Sequence, residues 1–243
     1  LSPERTIYGV EAPWRHEDII GDNTIESIAS HYLPGILKNA GQGAIHLGGF
    51  STGGLIALEL AQQLKEEGRE VGLVALFDTY NPTNPPQREK ALKRWTRHLR
   101  NLDQQTFGQR VTRIAKLVLN TSRVKLGLLR EQVNTLRARV VRRFRRNVPI
   151  HLRHFESRNT MIEANYRYRP QSYDGKLVLF RASQFESGYV ETADLGWSKA
   201  NHTNFSIVRV GGKHSTLLKG ENAQTLARKI DAILGENNDS SDS

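Results

Sequence analysis

The stretch Ala44-Ile45-His46-Leu47-Gly48-Gly49-Phe50-Ser51-Thr52-Gly53-Gly54 carries the strongest structural signal in this chain of 243 residues. It begins with a short apolar run, Ala44 to Leu47, which predicts a buried strand. A second run, Gly53 to Glu67, is apolar around most of a helix circumference and ends before Gly68, which predicts a buried helix. The pattern Gly49-x-Ser51-x-Gly53 therefore lies between a strand and a helix, which is the setting of a nucleophile elbow. The alternative is a glycine-rich turn without chemistry or an anion-binding loop.

Short apolar stretches bounded by Gly, Asp or Pro recur along the chain and predict the parallel strands of a buried sheet. These stretches are Thr6 to Val10, Ala44 to Leu47, Val71 to Phe77, Lys176 to Phe180 and Ile207 to Val210. Helical patterns separate or follow them, at Thr24 to Lys38, Gly53 to Glu67 and Ala223 to Leu234. Strand alternating with helix predicts an α/β fold, in which helices cover both faces of a mostly parallel sheet.

The positive charge of the chain is concentrated in one segment. Residues 82–150 contain 18 Lys and Arg against three acidic residues, whereas the formal net charge of the whole chain is +10. An apolar stripe in this segment recurs at steps of three and four residues, which predicts a helix packed on an apolar surface with an arginine-rich face in water. The stripe consists of Leu126, Leu129, Val133, Leu136, Val140 and Phe144.

These patterns divide the chain into four parts. Residues 1–81 are predicted to form the first part of the α/β core, with the elbow, and residues 82–169 a large, basic, all-helical insertion. Residues 170–235 are predicted to form the second part of the core. The last helix is expected to end at Gly235, and the polar residues 236–243 are predicted to be disordered.

Composition excludes several kinds of site. The chain has no cysteine, which excludes disulfides, cysteine-ligated metals and cysteine nucleophiles. The chain contains no run of eighteen apolar residues, so no membrane-spanning helix is predicted. Its first residues lack the pattern of a secretory signal. We therefore expect a cytoplasmic location. His151 and His154 share a helical face, but no third ligand at suitable spacing accompanies them, and no metal site is predicted.

A serine at an elbow requires a base, and the base requires a carboxylate that fixes its tautomer. Asp78 directly follows one predicted strand, and His214 follows another after a short glycine-rich loop. Both side chains are therefore expected at the carboxyl edge of the parallel sheet, where Ser51 also lies. The chain order serine, aspartate, histidine is that of α/β-hydrolases, and it predicts Ser51, Asp78 and His214 as catalytic residues.

The sequence specifies the acid and the oxyanion donor of this site less closely than it specifies the serine and the histidine. Glu186 and Asp194 follow the next predicted strand and remain alternative acids to Asp78. The backbone N–H of Thr52, at the start of the helix after the serine, is the expected first oxyanion donor. No residue pattern predicts a bound cofactor.

Several motifs between Ile7 and Leu234 carry a family resemblance. They are Tyr8-Gly9-Val10, Gly49 to Glu59, Leu73 to Asp78, Tyr173 to Ala182, Leu195-Gly196-Trp197 and Gly211 to His214. With these motifs the chain resembles the thioesterase domains that end nonribosomal peptide and polyketide synthases, which belong to the α/β-hydrolase superfamily. The resemblance implies that Ser51 attacks a thioester carried on phosphopantetheine, with His214 as base and Asp78 as its orienting acid. It favours Asp78 over Glu186 and Asp194.

The chain departs from that family in two respects. Family members begin with a strand and a His/Gly-rich loop that supplies the second oxyanion donor, and neither is found before Leu1, so the first strand or strands are expected to be missing. The helical lid of the family corresponds here to an insertion that is long and unusually basic. We expect this insertion to meet an acidic acyl or peptidyl carrier protein in the same polypeptide, and neither nucleic acid nor a membrane.

Three functions remain open at this point. The first is release of an acyl or peptidyl chain from a carrier protein through Ser51, by hydrolysis or macrocyclisation. The second is a stand-alone editing thioesterase or a carboxylesterase on the same fold. The third is a non-catalytic module whose basic insertion binds a polyanion.

Overall fold

A computed structural model of the chain describes residues 1, 5–10, 24–85, 126, 129–130, 132–137, 140–141, 161–185, 192–198 and 202–239. The chain forms two compact units. One comprises Leu1–Gln87 with Glu163–Ser243, and the other comprises Arg88–Ile162. The sheet and the residues of the candidate site belong to the first unit.

The first unit alternates strands and helices around one parallel sheet. Its elements in chain order are α1 (Ile25–Asn39), β1 (Ile45–Phe50), α2 (Thr52–Glu66), β2 (Val71–Phe77), β3 (Lys176–Gln184), β4 (Asn204–Lys213), a 3-10 turn (His214–Thr216) and α3 (Gly220–Asp239). The described strands have the order β1-β2-β3-β4, and each neighbouring pair is parallel. The predicted α/β fold with a parallel sheet flanked by helices is confirmed.

Helices cover both faces of the sheet. On one face α1 and α2 pack through apolar side chains that include Ile25, Leu55 and Leu58, and on the other face α3 packs through Leu226 and Ile230. Successive side chains of a strand point to opposite faces, so β2 contributes to both clusters. Its alternating residues are Val74 and Leu76 on the first face, and Leu73 and Ala75 on the second.

The start of α1 agrees with the sequence pattern. Thr24 is the N-cap, and its side chain accepts a hydrogen bond from the N–H of Ser27 at 3.1 Å. The hydroxyl of Ser27 accepts one in return from the N–H of Thr24 at 3.0 Å. This reciprocal pair satisfies two backbone donors that a helix start otherwise leaves unpaired.

The predicted strand at Thr6 to Val10 is wrong. Residues 6–10 are described without strand structure, and the side chains of Ile7 and Tyr8 are exposed. A β-branched, apolar composition favours a strand only where a neighbouring strand pairs with its backbone groups. Among the described strands, none pairs with this segment.

Three predicted boundaries also differ from the structure. β1 continues to Phe50, and β4 continues through the glycines to Lys213, so His214 directly follows a strand rather than a loop. α3 does not stop at Gly235 but runs to Asp239, so the predicted disorder of residues 236–239 is wrong. A glycine inside a helix costs only about 1 kcal/mol relative to alanine, which does not end the helix by itself. Residues 240–243 lie outside the described part of the chain.

The basic insertion is described in part. Residues 126, 129–130, 132–137 and 140–141 are helical, as the periodicity predicts. The described members of the apolar stripe are exposed by 43 to 71% (Leu126, Leu129, Val133, Leu136 and Val140), and the prediction that they pack on an apolar surface is wrong. Periodicity places side chains on one helix face, but it does not supply a surface to cover them. Phe144 and Arg142 lie outside the described residues.

Candidate active site

Ser51 occupies a sharp turn between β1 and α2. Its backbone has φ 54° and ψ −123°, a conformation that is strained for a residue with a side chain. The turn is held by a hydrogen bond of 2.9 Å from the N–H of Ser51 to the carbonyl of Phe77. The side chain of Ser51 makes no helix-capping hydrogen bond. Ser51 thus lies in a strained turn between a strand and a helix, which is the setting that the elbow prediction requires.

Close packing explains two of the glycines around the serine. A Cβ at Gly49 would overlap the carbonyl of Gly53, and a Cβ at Gly54 would overlap the hydroxyl of Thr79. A Cβ at Gly53 would meet nothing within 4 Å. Of the glycines around Ser51 in the Gly49-x-Ser51-x-Gly53 pattern, Gly49 is therefore required by the close approach of strand and helix, and outside the pattern Gly54 is also required.

The structure brings Asp78 and His214 together. Asp78 lies directly after β2, is buried, and has φ 48°. Its Oδ2 lies 2.8 Å from Nδ1 of His214, and its Oδ1 accepts a hydrogen bond of 2.9 Å from the N–H of Ala182. A carboxylate facing Nδ1 favours the tautomer with the proton on that nitrogen, which leaves Nε2 free to accept a proton.

Aromatic contacts link the imidazole to the elbow. The ring of Phe50, next to Ser51, stacks on the ring of His214 with centroids 4.5 Å apart and planes inclined by 28°. The ring of Tyr80 lies 6.5 Å away on a tilted plane. Within the described residues, no hydrogen bond joins the hydroxyl of Ser51 to His214. The imidazole of His214 thus packs on the residue that directly precedes Ser51.

The N–H of Thr52, the expected oxyanion donor, lies at the start of α2. Thr52 is the first residue of α2, where helix geometry leaves backbone N–H groups without an intrahelical partner. The carbonyl of the same peptide unit, that of Ser51, accepts hydrogen bonds from the N–H of Gly54 at 3.1 Å and from the hydroxyl of Thr79 at 2.9 Å. The hydroxyl of Thr52 accepts one from the side-chain amide of Asn165 at 3.2 Å.

Of the two alternative acids, Asp194 belongs to the described residues and Glu186 does not. Asp194 caps its own loop, where it accepts hydrogen bonds from the backbone N–H groups of Gly196 and Ser198 and from the hydroxyl of Ser198. Burial alone would raise the pKa of Asp194, but these hydrogen bonds outweigh it and lower the pKa below its usual value. Glu186 lies outside the described residues. Of the described acids, Asp78 is the one in contact with His214.

The part of the first unit that resumes at Glu163 is tied to α2 through a buried hydrogen bond. The hydroxyl of Tyr168 donates to Oε2 of Glu59 at 2.8 Å, and Oε1 of Glu59 accepts from the amide of Gln63 at 2.9 Å. Burial, reinforced by the nearby carboxylate of Glu59, raises the pKa of Tyr168, so the hydroxyl stays a donor. This anchor holds Asn165, one helical turn earlier, beside the elbow.

Sequence reasoning missed Phe50, Thr79 and Asn165. Thr79 and Phe50 adjoin predicted catalytic residues, but no spacing rule marks them. Asn165 is 113 residues from Thr52, and no pattern in the chain joins the two positions. Within the described residues, no cluster of three or more His, Asp or Glu could hold a metal ion, and no helix is long and apolar enough to cross a membrane. His151 and His154 lie outside the described part.

Comparison with known proteins agrees with this architecture. The family model of the thioesterase domain matches residues 1–234. A stretch of 82 residues is 36% identical to vanchrobactin synthetase VabF of Vibrio anguillarum and covers 34% of the chain and 3% of that protein. A stretch of 62 residues is 40% identical to the non-reducing polyketide synthase CTB1 of Cercospora nicotianae and covers 26% of the chain and 3% of that protein.

The fold is similar to that of the NocB thioesterase domain from the nocardicin cluster. The two structures superpose with a TM-score of 0.56 at 20% sequence identity, over 92% of this chain and 78% of the other. At this identity the likeness shows the fold alone. The chain matches only a few per cent of the length of the two synthases, which are far larger proteins.

Proposed function

Because the chain belongs to the thioesterase domain family of polyketide and nonribosomal peptide synthases, we propose that Ser51 accepts an acyl or peptidyl chain from the phosphopantetheine of a carrier protein. The chain is then released from the serine ester by water or by a nucleophile within the acyl chain. The reaction is acyl transfer by a serine thioesterase, and the domain itself needs no bound cofactor for it.

The observation that carries this proposal is the contact between His214 and Asp78. A histidine whose Nδ1 lies 2.8 Å from a buried carboxylate has a fixed ring and a defined tautomer. The same ring stacks on Phe50, the neighbour of Ser51. A buried carboxylate, a histidine and a serine at a strained elbow are the groups that nucleophilic acyl transfer requires.

Acylation proceeds in two steps. The oxygen of Ser51 forms a bond to the thioester carbonyl carbon, and its proton passes to Nε2 of His214. The carbonyl oxygen becomes an oxyanion, which the N–H of Thr52 stabilises at the start of α2. When the tetrahedral intermediate collapses, the carbon–sulfur bond breaks and the pantetheine thiol leaves with the proton from His214. The product is an ester on Ser51 and a free carrier thiol.

Release repeats the same chemistry with a different nucleophile. His214 takes a proton from a water molecule, or from a hydroxyl or amine of the acyl chain, as that group attacks the ester carbonyl. Collapse breaks the ester bond and returns the proton to the oxygen of Ser51. Water yields a free acid, and an internal nucleophile yields a ring, so the product depends on which nucleophile reaches the ester first.

The charge distribution supports an acidic carrier protein as the partner. Residues 82–150 hold 18 basic and three acidic residues, and the described Arg130 and Arg137 are exposed in this segment. Exposed charge of one sign increases the rate at which a partner of opposite sign is encountered. The matched relatives are large synthases, which is consistent with a carrier protein in the same polypeptide.

The test is capture of the acyl-enzyme. The protein is mixed with an acyl-pantetheine thioester, and intact and peptide-level mass spectrometry locate the added acyl group. We expect the acyl mass on Ser51, and none in Ser51→Ala, with the fold retained because the side chain makes no hydrogen bond that holds the elbow. The control is Ser30→Ala, which removes an exposed serine hydroxyl on α1.

Two outcomes would contradict the proposal. Acylation at another residue, or full turnover by a folded Ser51→Ala protein, removes Ser51 from the mechanism. Equal reactivity towards simple oxygen esters, together with no preference for a carrier-bound thioester, identifies a carboxylesterase instead. Analysis of the released product by mass spectrometry then separates hydrolysis from macrocyclisation, because a ring has one water molecule less than the free acid.

A further inference from the structure

The peptide unit between Ser51 and Thr52 is held at its carbonyl end. This unit carries the N–H of Thr52, and its carbonyl accepts hydrogen bonds from the N–H of Gly54 and from the hydroxyl of Thr79. A peptide unit is planar, and in the trans form its C=O and N–H point in opposite directions. Fixing the carbonyl therefore fixes the direction in which the N–H of Thr52 points.

Thr79 is itself held rigidly. It is buried, and its carbonyl accepts a hydrogen bond of 2.8 Å from the indole N–H of the fully buried Trp197, 118 residues away. Its side chain packs so closely on Gly54 that no Cβ fits there. The hydroxyl also lies 3.4 Å from the carbonyl of Phe77, so the carbonyl of Ser51, at 2.9 Å, is its nearer acceptor.

We propose that Thr79 is a positioning residue of the oxyanion site, which orients and polarises the N–H of Thr52 by hydrogen bonding to the carbonyl of the same peptide unit. The inference rests on the proposed function, since it assigns Thr79 a role in stabilising the oxyanion of the Ser51 reaction. Thr79 touches neither the substrate nor the reacting atoms. It acts only through the Ser51 carbonyl.

The effect has two physical sources. Preorganisation is the first: a donor already aimed at the developing charge needs no reorientation during the reaction. Polarisation is the second, because a carbonyl that accepts hydrogen bonds makes the N–H of its peptide unit a stronger donor. Removing an oxyanion donor outright lowers kcat by about 10²- to 10³-fold. Loss of one of the two hydrogen bonds that orient the donor should lower kcat by a smaller factor, on the order of tenfold.

The experiment removes the Thr79 hydroxyl in two ways. Thr79→Val replaces it by a methyl group of similar size, and Thr79→Ala removes it without placing a methyl group against Gly54, in case the valine variant fails to fold. Thr79→Ser keeps the hydroxyl and serves as the conservative rescue. Thr83→Val is the matched control, because Thr83 lies on the same loop but donates to the side chain of Asn81 rather than to the elbow.

Three measurements report on the oxyanion site. They are the rate constant and KM for acylation by an acyl-pantetheine thioester, the rate of reaction of Ser51 with a fluorophosphonate, and the infrared frequency of the ester carbonyl in the acyl-enzyme. We expect Thr79→Val and Thr79→Ala to lower both rates roughly tenfold at constant KM. We also expect their carbonyl band to move to higher frequency, since the carbonyl is polarised less. Thr79→Ser should restore most of the rate, and Thr83→Val should match the wild type.

The outcomes separate this inference from the proposed function. A wild-type protein that acylates at Ser51, beside loss-of-hydroxyl variants with unchanged rates and an unchanged carbonyl band, overturns the role of Thr79 alone. A change confined to KM or to thermal stability also overturns it, because a purely structural residue would give that result. A wild-type protein that never acylates at Ser51 overturns the proposed function and the oxyanion role together.

Discussion

Nδ1 of His214 lies 2.8 Å from Oδ2 of Asp78, although 136 residues separate the two positions in the chain. The other oxygen of the carboxylate accepts a hydrogen bond from the N–H of Ala182 on the neighbouring strand. Asp78 is thus fixed through both oxygens, and it presents one of them to the imidazole. Because the carboxylate is buried, water competes weakly for this contact.

The first prediction concerns Asp78→Asn. The amide keeps an oxygen for the N–H of Ala182 but can place an N–H group against the imidazole, which then adopts the wrong tautomer. We expect kcat to fall by roughly 10⁴-fold with little change in melting temperature. Steady-state kinetics with an acyl-pantetheine thioester, together with thermal unfolding, measure the two effects.

Asp194→Asn is the matched control for this substitution, since Asp194 caps its own loop. It should lower stability slightly and leave most of the turnover. Near-normal turnover of Asp78→Asn, combined with a collapse in Asp194→Asn or in Glu186→Gln, would transfer the role of the acid to one of those residues.

The second prediction concerns Gly53 and Gly54, the two glycines that follow Thr52. In Gly54→Ala the new methyl group would overlap the hydroxyl of Thr79 and lie 2.9 Å from its Cβ. We expect a loss of about 1–3 kcal/mol in the free energy of unfolding, as is usual for overpacking. In Gly53→Ala the new methyl group would meet nothing within 4 Å. The free energy of unfolding should therefore rise by up to about 1 kcal/mol, because alanine favours a helix more than glycine does. Urea unfolding measures both, and equal effects at the two positions would refute the packing argument.

The third prediction concerns the arginines of the insertion. Reversing Arg142, Arg143, Arg145 and Arg146 to Glu should slow the reaction with carrier-bound substrate roughly tenfold at low salt and leave small pantetheine thioesters unaffected. Exposed charges act mainly on encounter, and salt weakens them because the Debye length is about 8 Å at physiological ionic strength. The wild-type rate should therefore fall as salt rises, and the rate of the variant should change less.

A control with the same change in net charge separates a local docking surface from a general effect. It reverses four basic residues of the first unit, Lys38, Lys219, Arg228 and Lys229. If this control slows the carrier reaction as much, or if both substrates respond alike to the arginine reversal, the insertion does not dock the carrier protein.

The fourth prediction concerns pH. Burial lowers the pKa of His202 below its ordinary value of 6.5, and its Nδ1 accepts a hydrogen bond of 3.1 Å from the N–H of Tyr173, which requires an unprotonated nitrogen. As the pH falls below 6.5, the unfolded chain binds a proton here before the folded protein does. The free energy of unfolding should therefore decrease from about pH 7 downward and level off below the lowered pKa.

His202→Gln should make this decrease smaller, as measured by urea unfolding between about pH 7 and pH 5. It should not abolish the decrease, because burial also lowers the pKa of His46, which makes the free energy of unfolding fall with pH in the same direction. His31→Gln, which replaces a histidine at an exposed position on α1, is the control. A slope that is identical in the His202 variant and the wild type would contradict the assignment.

Local features of the sequence were sufficient for much of the fold. β2 spans Val71–Phe77, as its apolar run predicts, and α1 begins at Ile25, within one residue of the start that its helical pattern predicts. These signals depend on residues within one turn or one strand of each other. The strand predicted at Thr6 to Val10 failed because a strand needs a partner, and its own composition contains no information about one.

The sequence by itself determined the order of the four strands of the sheet and the positions of Ser51, Asp78 and His214 beside them, because each of these residues follows a strand whose apolar pattern is local. Only the tertiary structure decided which side chains meet. The contacts of Thr79 with the Ser51 carbonyl and of Asn165 with Thr52 join residues 28 and 113 positions apart. Ser51 and Thr79 meet because both lie just after neighbouring parallel strands, at one edge of the sheet. The contact of Asn165 with Thr52 depends on tertiary packing that no local pattern encodes.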